Sequence, residues 1–280
     1  RTAAMASRDL KELQPLPLLR AAAAPSAPLV GADGSRRDGR RLDEFRPIFL
    51  RAGTISKAAG SAYLELGNTK VLCSVFAPHQ HDAKEYLQHG QLECSLRFTS
   101  FARRVRHSRS TQGGSPEERE LSGALSAALS ASVQLDRYPK STLAVHALVI
   151  EDDGGALAAA ICCASLALAD ASILVYDLVA ACCSSHLPEG ALALDCDAAE
   201  QGAALGSTLV AQMPSLEQLT LLRHDGATPY EQSVAGLQQA LAGAARLYET
   251  MQAVLLARQD GGAAGPGGGS NGGAKKAVLA

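Results

Sequence analysis

The chain carries almost no net charge, with 26 Lys and Arg against 28 Asp and Glu across 280 residues. That balance excludes a protein held to nucleic acid by overall basicity, so an RNA site would have to be a local patch. CxxC pairs are also missing, and the seven cysteines are an odd number that fits poorly with a secreted disulfide framework. An intracellular, reducing compartment is expected. Cys162-Cys163 and Cys182-Cys183 then read as small buried hydrophobes rather than redox or metal groups. The longest apolar run, 155–169, is too short and too rich in alanine to span a bilayer, so no membrane partner is expected. Neither a Walker-type phosphate loop nor a GxSxG elbow occurs. His79-x-His81 is the one close histidine pair, and it lacks a third ligand at matching spacing. No metal and no other cofactor is expected.

What is present is enough apolar sequence, 47%, for a substantial core. The ends lie outside it: 1–37 is expected to be a disordered extension, where Asp9 and Glu12 count against a transit peptide, and 259–280 a flexible tail rich in glycine. Between them, Ala62–Leu66, Gly67-Asn68 and Thr69–Val75 read as a hairpin, because a Gly-Asn pair suits a turn needing positive φ. Ser115-Pro-Glu-Glu118 is a capping box that starts a helix of roughly 20 residues, with Leu121, Leu125, Leu129 and Val133 at helical spacing. Ser141–Ile150 alternates as a strand, and Ala156–Ala171 reads as a buried helix. Strands are expected at Ile173–Ala181 and Ala191–Cys196, separated by Leu187-Pro-Glu-Gly190, then a pair at Ala203–Gln212 and Glu217–Leu222. A second capping box, Thr228-Pro-Tyr-Glu231, opens a helix to about Arg258 whose stripe is Val234, Leu237, Leu241, Ala245, Tyr248 and Met251. Strands followed by helices packed on a face give the α+β class.

A set of short segments stands in a recognisable order: Arg46-Pro-Ile48, Arg51-Ala-Gly53, Gly60-Ser61, Gly67-x-Thr69-x-Val71, Val149-Ile-Glu-Asp-Asp-Gly-Gly155, Ala167-Leu-Ala-Asp-Ala171 and Tyr176-Asp177-Leu178. As a set they resemble the RNase PH family, over about Asp38 to Arg258. Ala59–Glu65, Glu118–Leu121 and Leu166–Ala171 are most similar to the ring-subunit branch of the eukaryotic exosome. The resemblance implies an RNase PH-like domain over 38–258, of the ribosomal protein S5 domain 2-like fold, with mixed sheets packed with helices. It implies other RNase PH-type exosome subunits in a hexameric ring around an RNA channel, S1/KH-type cap subunits and RNA as partners, and a place in the nucleus, nucleolus and cytoplasm. Active members of the family degrade RNA from the 3′ end by phosphorolysis. Two anionic centres must meet there, so catalysis is charge neutralisation and positioning by cations and metal-held carboxylates.

The family's active members carry a strand motif Leu-Asp-x-Asp-x-x-Glu-Asp and a further Asp six residues on. Laid on that motif, Leu194-Asp195-x-Asp197 puts Gln201 and Ser207 where two of those acids would stand, and neither brings a negative charge to a divalent ion. After Gly154-Gly155 the expected phosphate-binding arginine is replaced by Ala156 or Leu157. The helix start reads Glu117-Glu118-Arg119-Glu120, whose acids complement the helix dipole themselves and would repel phosphate. The chain is therefore expected to be non-catalytic, with Asp195 and Asp197 capping or solvating a strand end. RNA contact is separate: Arg97, Arg103, Arg104, Arg106 and Arg109 fall within thirteen residues without an acid, beside Phe98 and Phe101. Arginine forks suit phosphate and aromatics stack on bases; in family rings the equivalent loop faces the channel. Arg36, Arg37, Arg40 and Arg41 read as a second, surface run. Two rivals stay open: an active phosphorolytic exonuclease using Asp195, Asp197 and Glu200, and a purely structural ring subunit.

Overall fold

The structure, a computed structural model, describes residues 30, 35–80, 89–103, 114–188 and 190–262. Two sheets carry the fold. The first joins β1 (Ile48–Ala52), β2 (Gly60–Leu66), β3 (Thr69–Gln80), β4 (Gln91–Phe98) and β5 (Ser141–Glu151) in the order β1-β2-β3-β5-β4. All neighbours in it run antiparallel except β4 beside β5. The hairpin expected around Gly67-Asn68 is there, with Leu66 opposite Thr69 and Gly67 at φ +59°. Helix α1 (Pro116–Ser130) lies between β4 and β5 in the chain and opens on the expected capping box: Ser115 Oγ accepts from Glu118 N, and Glu118 returns the bond. It stops earlier than the apolar spacing indicated, because Val133 leaves the helix to bridge Val175.

Helix α2 (Ala156–Asp170) is buried on nearly every side, as its composition requires. The second sheet joins β6 (Ala180–His186), β7 (Leu192–Leu194), β8 (Gly206–Met213) and β9 (Gln218–Gly226) in the order β7-β6-β8-β9, all antiparallel. A short helix α3 (Ala198–Ala203) follows β7, and α4 (Tyr230–Gly262) closes the described chain. The layers run α4, second sheet, α1 with α2, first sheet. The first sheet's outer face meets no further layer among the described residues. No helix described is long and apolar enough to cross a membrane.

Several expectations change. The strand read at Ile173–Ala181 begins only at Ala180, where the ladder to β8 starts opposite Gln212. Ile173 and Val175 bury or bridge without a ladder, while Leu174 and Tyr176 face solvent. The stripe read on α4 is displaced: the buried positions are Gly236, Ala240, Gly243, Ala244, Leu247, Thr250 and Met251, and Ala245 is exposed. Small residues win because α4 presses onto β6, where a Cβ on Gly243 would stand 2.9 Å from Cys182 Sγ and 3.1 Å from Phe45. Thr228 does not form the second capping box; its hydroxyl bonds Ser233 Oγ and the ring of His224 instead. Helix α4 runs four residues past the boundary expected at Arg258. At the other end Arg36, assigned to a surface run outside the fold, is 3% exposed and bonds the Leu42 and Leu194 carbonyls.

Candidate functional site

The landmarks that carried the family resemblance converge on one buried knot. Arg46 donates from its backbone N to Asp195 Oδ2 at 2.9 Å, from Nε to the same oxygen at 3.0 Å and from Nη2 to Oδ1 at 2.6 Å. Its remaining donors reach Thr69 Oγ1 and the carbonyls of Asp153 and Gly154. The β2–β3 turn, the Asp-Gly-Gly turn and the end of β7 are thereby pinned to one guanidinium. Burial works against the Arg46 charge, but the carboxylate of Asp195 outweighs it and holds that charge more firmly than usual. Asp195 itself sits at φ +50°, a left-handed backbone that Asp tolerates better than most residues.

Next to the knot, Asp197 caps α3 by accepting from Glu200 N at 2.7 Å, and Glu200 Oε2 accepts from Asp197 N at 3.1 Å. Glu200 is buried, 3.5 Å from the Arg36 guanidinium. The expectation of strand-end carboxylates thus holds in kind for Asp197, a cap, whereas Asp195 is a buried ion-pair partner.

A cavity of about 240 Å³ opens between α1, the N-terminus of α2, β8 and β9. Most positions where the sequence departs from the family's catalytic pattern line it, namely Gln201, Ser207, Ala156, Leu157, Glu117 and Glu120, while Glu118 is turned to the backbone N of Phe98 and of Ser115 instead. Asp195, Asp197 and Glu200 do not. Gln201 turns its amide oxygen to the backbone N of Gly155, 3.3 Å away at the start of α2, filling with a neutral acceptor the helix end that would otherwise face an anion. Two arginines reach the cavity, and both are bound to acids. Arg103 makes a two-point contact with Glu117 at 2.6 and 2.9 Å and a third with Asp152 at 2.7 Å, its guanidinium stacked 4.4 Å from the centre of the Phe98 ring. Arg223 bonds Glu120 at 2.7 Å and Asp225 at 2.8 Å. The bonds to Glu117 and Asp225 lead in holding the Arg103 and Arg223 charges above the ordinary arginine range. Four carboxylates against two guanidinium groups leave the cavity an excess of negative charge, which repels phosphate.

The five arginines read as an RNA patch are not all in one place. Arg97 stands exposed on the outer face of the first sheet, in a cross-strand row with Arg51, Tyr63, Leu72 and Leu148. Arg103 is on the opposite, cavity side, and Phe98 beneath it is covered rather than free to stack. Phe101 is 62% exposed. Arg104, Arg106 and Arg109 lie outside the described residues, as do His81 and His107. Arg119 is exposed and does not line the cavity. Arg223 and Asp225 were not singled out from the sequence, although their two-residue spacing on a strand puts both on one face. Burial pushes the thiols of Cys94, Cys162, Cys183 and Cys196 up to about 12, and for Cys162 and Cys183 this suits the small-hydrophobe role expected of those two pairs.

Comparison with known proteins agrees with this geometry. The family model described as 3′ exoribonuclease family, domain 1, matches residues 44–173. Exosome complex component MTR3 of Homo sapiens is 42% identical over 277 residues, spanning 92% of this chain and 97% of its own length. Exosome complex component RRP41-like of Arabidopsis thaliana is 38% identical over 221 residues, spanning 79% and 84%. Among solved structures, rice (Oryza sativa) Rrp46 superposes with a TM-score of 0.68 at 24% identity, covering 78% of this chain and 98% of its own. An Archaeoglobus fulgidus exosome with RNA bound to the active site gives 0.66 at 21%, covering 78% and 93%. These two share the fold. The chain belongs to the RNase PH, or 3′ exoribonuclease, family. Within it the relatives named here are exosome complex components, and human and mouse MTR3 share 42% and 41% of their aligned residues with it.

Proposed function

We propose that this chain is a non-catalytic core-ring subunit of an RNA exosome. It assembles with other RNase PH-type subunits in a six-membered ring below S1/KH-type cap subunits, and supports 3′→5′ RNA processing and degradation in nucleus, nucleolus and cytoplasm. The observation that carries the loss of catalysis is the cavity: where phosphate and a metal ion would have to sit, Arg103 and Arg223 are each bound by two carboxylates, and Gln201 and Ser207 replace acids. The rival in which Asp195, Asp197 and Glu200 hold a metal is disfavoured, because those carboxylates are engaged by Arg46, by the α3 N-terminus and beside Arg36. RNA contact is assigned to Arg97, Arg104, Arg106 and Arg109. Arg103, tied by both its edges to acids, contributes least.

The purified chain, alone or with a ring partner inactivated by mutation, is incubated with inorganic phosphate, Mg²⁺ and RNA bearing a 3′ single-stranded tail. No nucleoside diphosphate above the blank is expected. Phosphate-dependent release that falls when Gln201 or Arg223 is replaced, in variants that keep their fold, would overturn the assignment.

A further inference from the structure

The second sheet is covered by α4, whereas the outer face of the first is bare among the described residues. Its strands turn alternate side chains outward, and six of them matter here: Arg51, Tyr63, Phe76, His146, Leu148 and Arg97. Phe76 is 43% and Leu148 39% exposed. The Phe76 ring meets the exposed ring of His146 edge to face, with centroids 5.5 Å apart, and Ser95 Oγ holds that imidazole from 2.6 Å. Exposed flat rings are thus fixed in place on an open sheet.

The row beside those rings has a guanidinium at each end, Arg51 on β1 and Arg97 on β4, and no acid between them. Four strand intervals separate the two, roughly 19 Å at the usual spacing. Arg36, Arg46, Arg103 and Arg223 are all bound to carboxylates, whereas Arg51 and Arg97 have no ion pair among the described residues. Of the acids on this face, Glu151 is held by Lys70 at 2.7 Å, Glu65 accepts from the Tyr63 hydroxyl at 2.6 Å, and Glu93 stands four residues before Arg97. Single-stranded RNA has the matching parts: phosphates for the free forks and unstacked bases for the rings. An open sheet bearing aromatics can stack about two or three bases in this way. No protein segment offers flat rings at every residue joined by an anion.

We propose that the outer face of the first sheet is a stacking platform for single-stranded RNA, with bases on Phe76, His146 and Tyr63 and phosphates on Arg51 and Arg97. It rests on the RNA-contact reading above and extends it from Arg97 across the sheet to Arg51. The assembled complex is titrated with fluorescein-labelled oligouridine at several salt concentrations. R51Q is expected to weaken binding at least threefold and to lower the log–log salt slope by about 0.7, one phosphate contact. F76L, which keeps apolar bulk and loses the ring, is expected to weaken binding at least threefold with the slope unchanged, and F76Y to restore it. R119Q, at an exposed arginine on α1 behind the sheet, is expected to change neither quantity. Ultraviolet crosslinking of wild-type complex to 4-thiouridine RNA, mapped by mass spectrometry, is expected to mark the segment holding Phe76, and it needs no variant to fold. If R51Q and F76L bind as wild type while R104E/R106E/R109E binds weakly, the platform is overturned and the RNA-contact reading stands. If none of the three weakens binding, both are overturned. If R51Q or F76L binds RNA normally and loses a protein from the complex, the face docks protein and the platform is overturned.

Discussion

Asp195 is the anchor of the buried knot, paired to Arg46 through both of its carboxylate oxygens. In this chain its carboxylate is 4% exposed and satisfies three donors of Arg46. Breaking a buried pair from one side leaves the other charge uncompensated, so Asp195→Asn should cost about 3–5 kcal/mol of stability, read from the urea midpoint at unchanged m value. Arg46 has its charge held above the ordinary arginine range, so the pair's contribution is present below that range and lost only as the pH rises through it. The loss in the variant should therefore be the same at pH 6 and pH 8. A variant as stable as wild type would show that Asp195 is not the anchor. Neither Arg36 nor Arg103 could have been placed this way from local sequence. Arg36 sits in a run read as surface and Arg103 in one read as an RNA patch, and their partners, Glu200 for Arg36 and Asp152 for Arg103, are distant in the chain.

At the scale of the element, glycines separate helix propensity from packing. Gly123 on α1 has open space where a Cβ would go, so Gly123→Ala should raise stability by about 0.8–1 kcal/mol through propensity alone. Gly243 on α4 has Cys182, Leu194 and Phe45 in that space, and Gly243→Leu should lower stability by about 1–3 kcal/mol through overpacking. Thermal unfolding of the two variants should move in opposite directions, and movement in the same direction would place the α4–β6 contact elsewhere. What could be read in advance follows the same division. The Gly67 hairpin, the Ser115 capping box and the buried α2 are written in contiguous residues and could be read directly. The start of β6 depends on Gln212 across the sheet, and the buried face of α4 is chosen by β6 pressing against small residues, so apolar spacing pointed to the wrong stripe. Of the candidate site, the vacated positions were legible because a family pattern indexed them. The arginine–carboxylate pairs that fill the space were not, because they join α1, β9 and the Asp152 turn.

For the whole molecule, the separation of Arg97 from Arg103 makes the RNA assignment testable by charge counting. A contact to phosphate releases counterions, so losing one on a single strand reduces the log–log salt slope of binding by about 0.7. Arg103 spends its donors on Glu117 and Asp152, so removing it should leave the slope almost unchanged. The assembled complex carrying R104E/R106E/R109E should bind single-stranded RNA more weakly, with the slope magnitude smaller by about 2 for three lost contacts. R97Q should remove about one contact, 0.7 in slope, while R103Q should lower the chain's unfolding temperature and keep the slope. Fluorescence anisotropy titrations at several salt concentrations give both quantities from the same samples. If the triple variant assembles normally and binds RNA with wild-type affinity and slope, the channel assignment fails and the chain is a structural ring member. If it no longer assembles, these arginines dock subunits instead. If R103Q loses slope as a contact would, its pairs with Glu117 and Asp152 must open to admit RNA, and the cavity would then be part of the path.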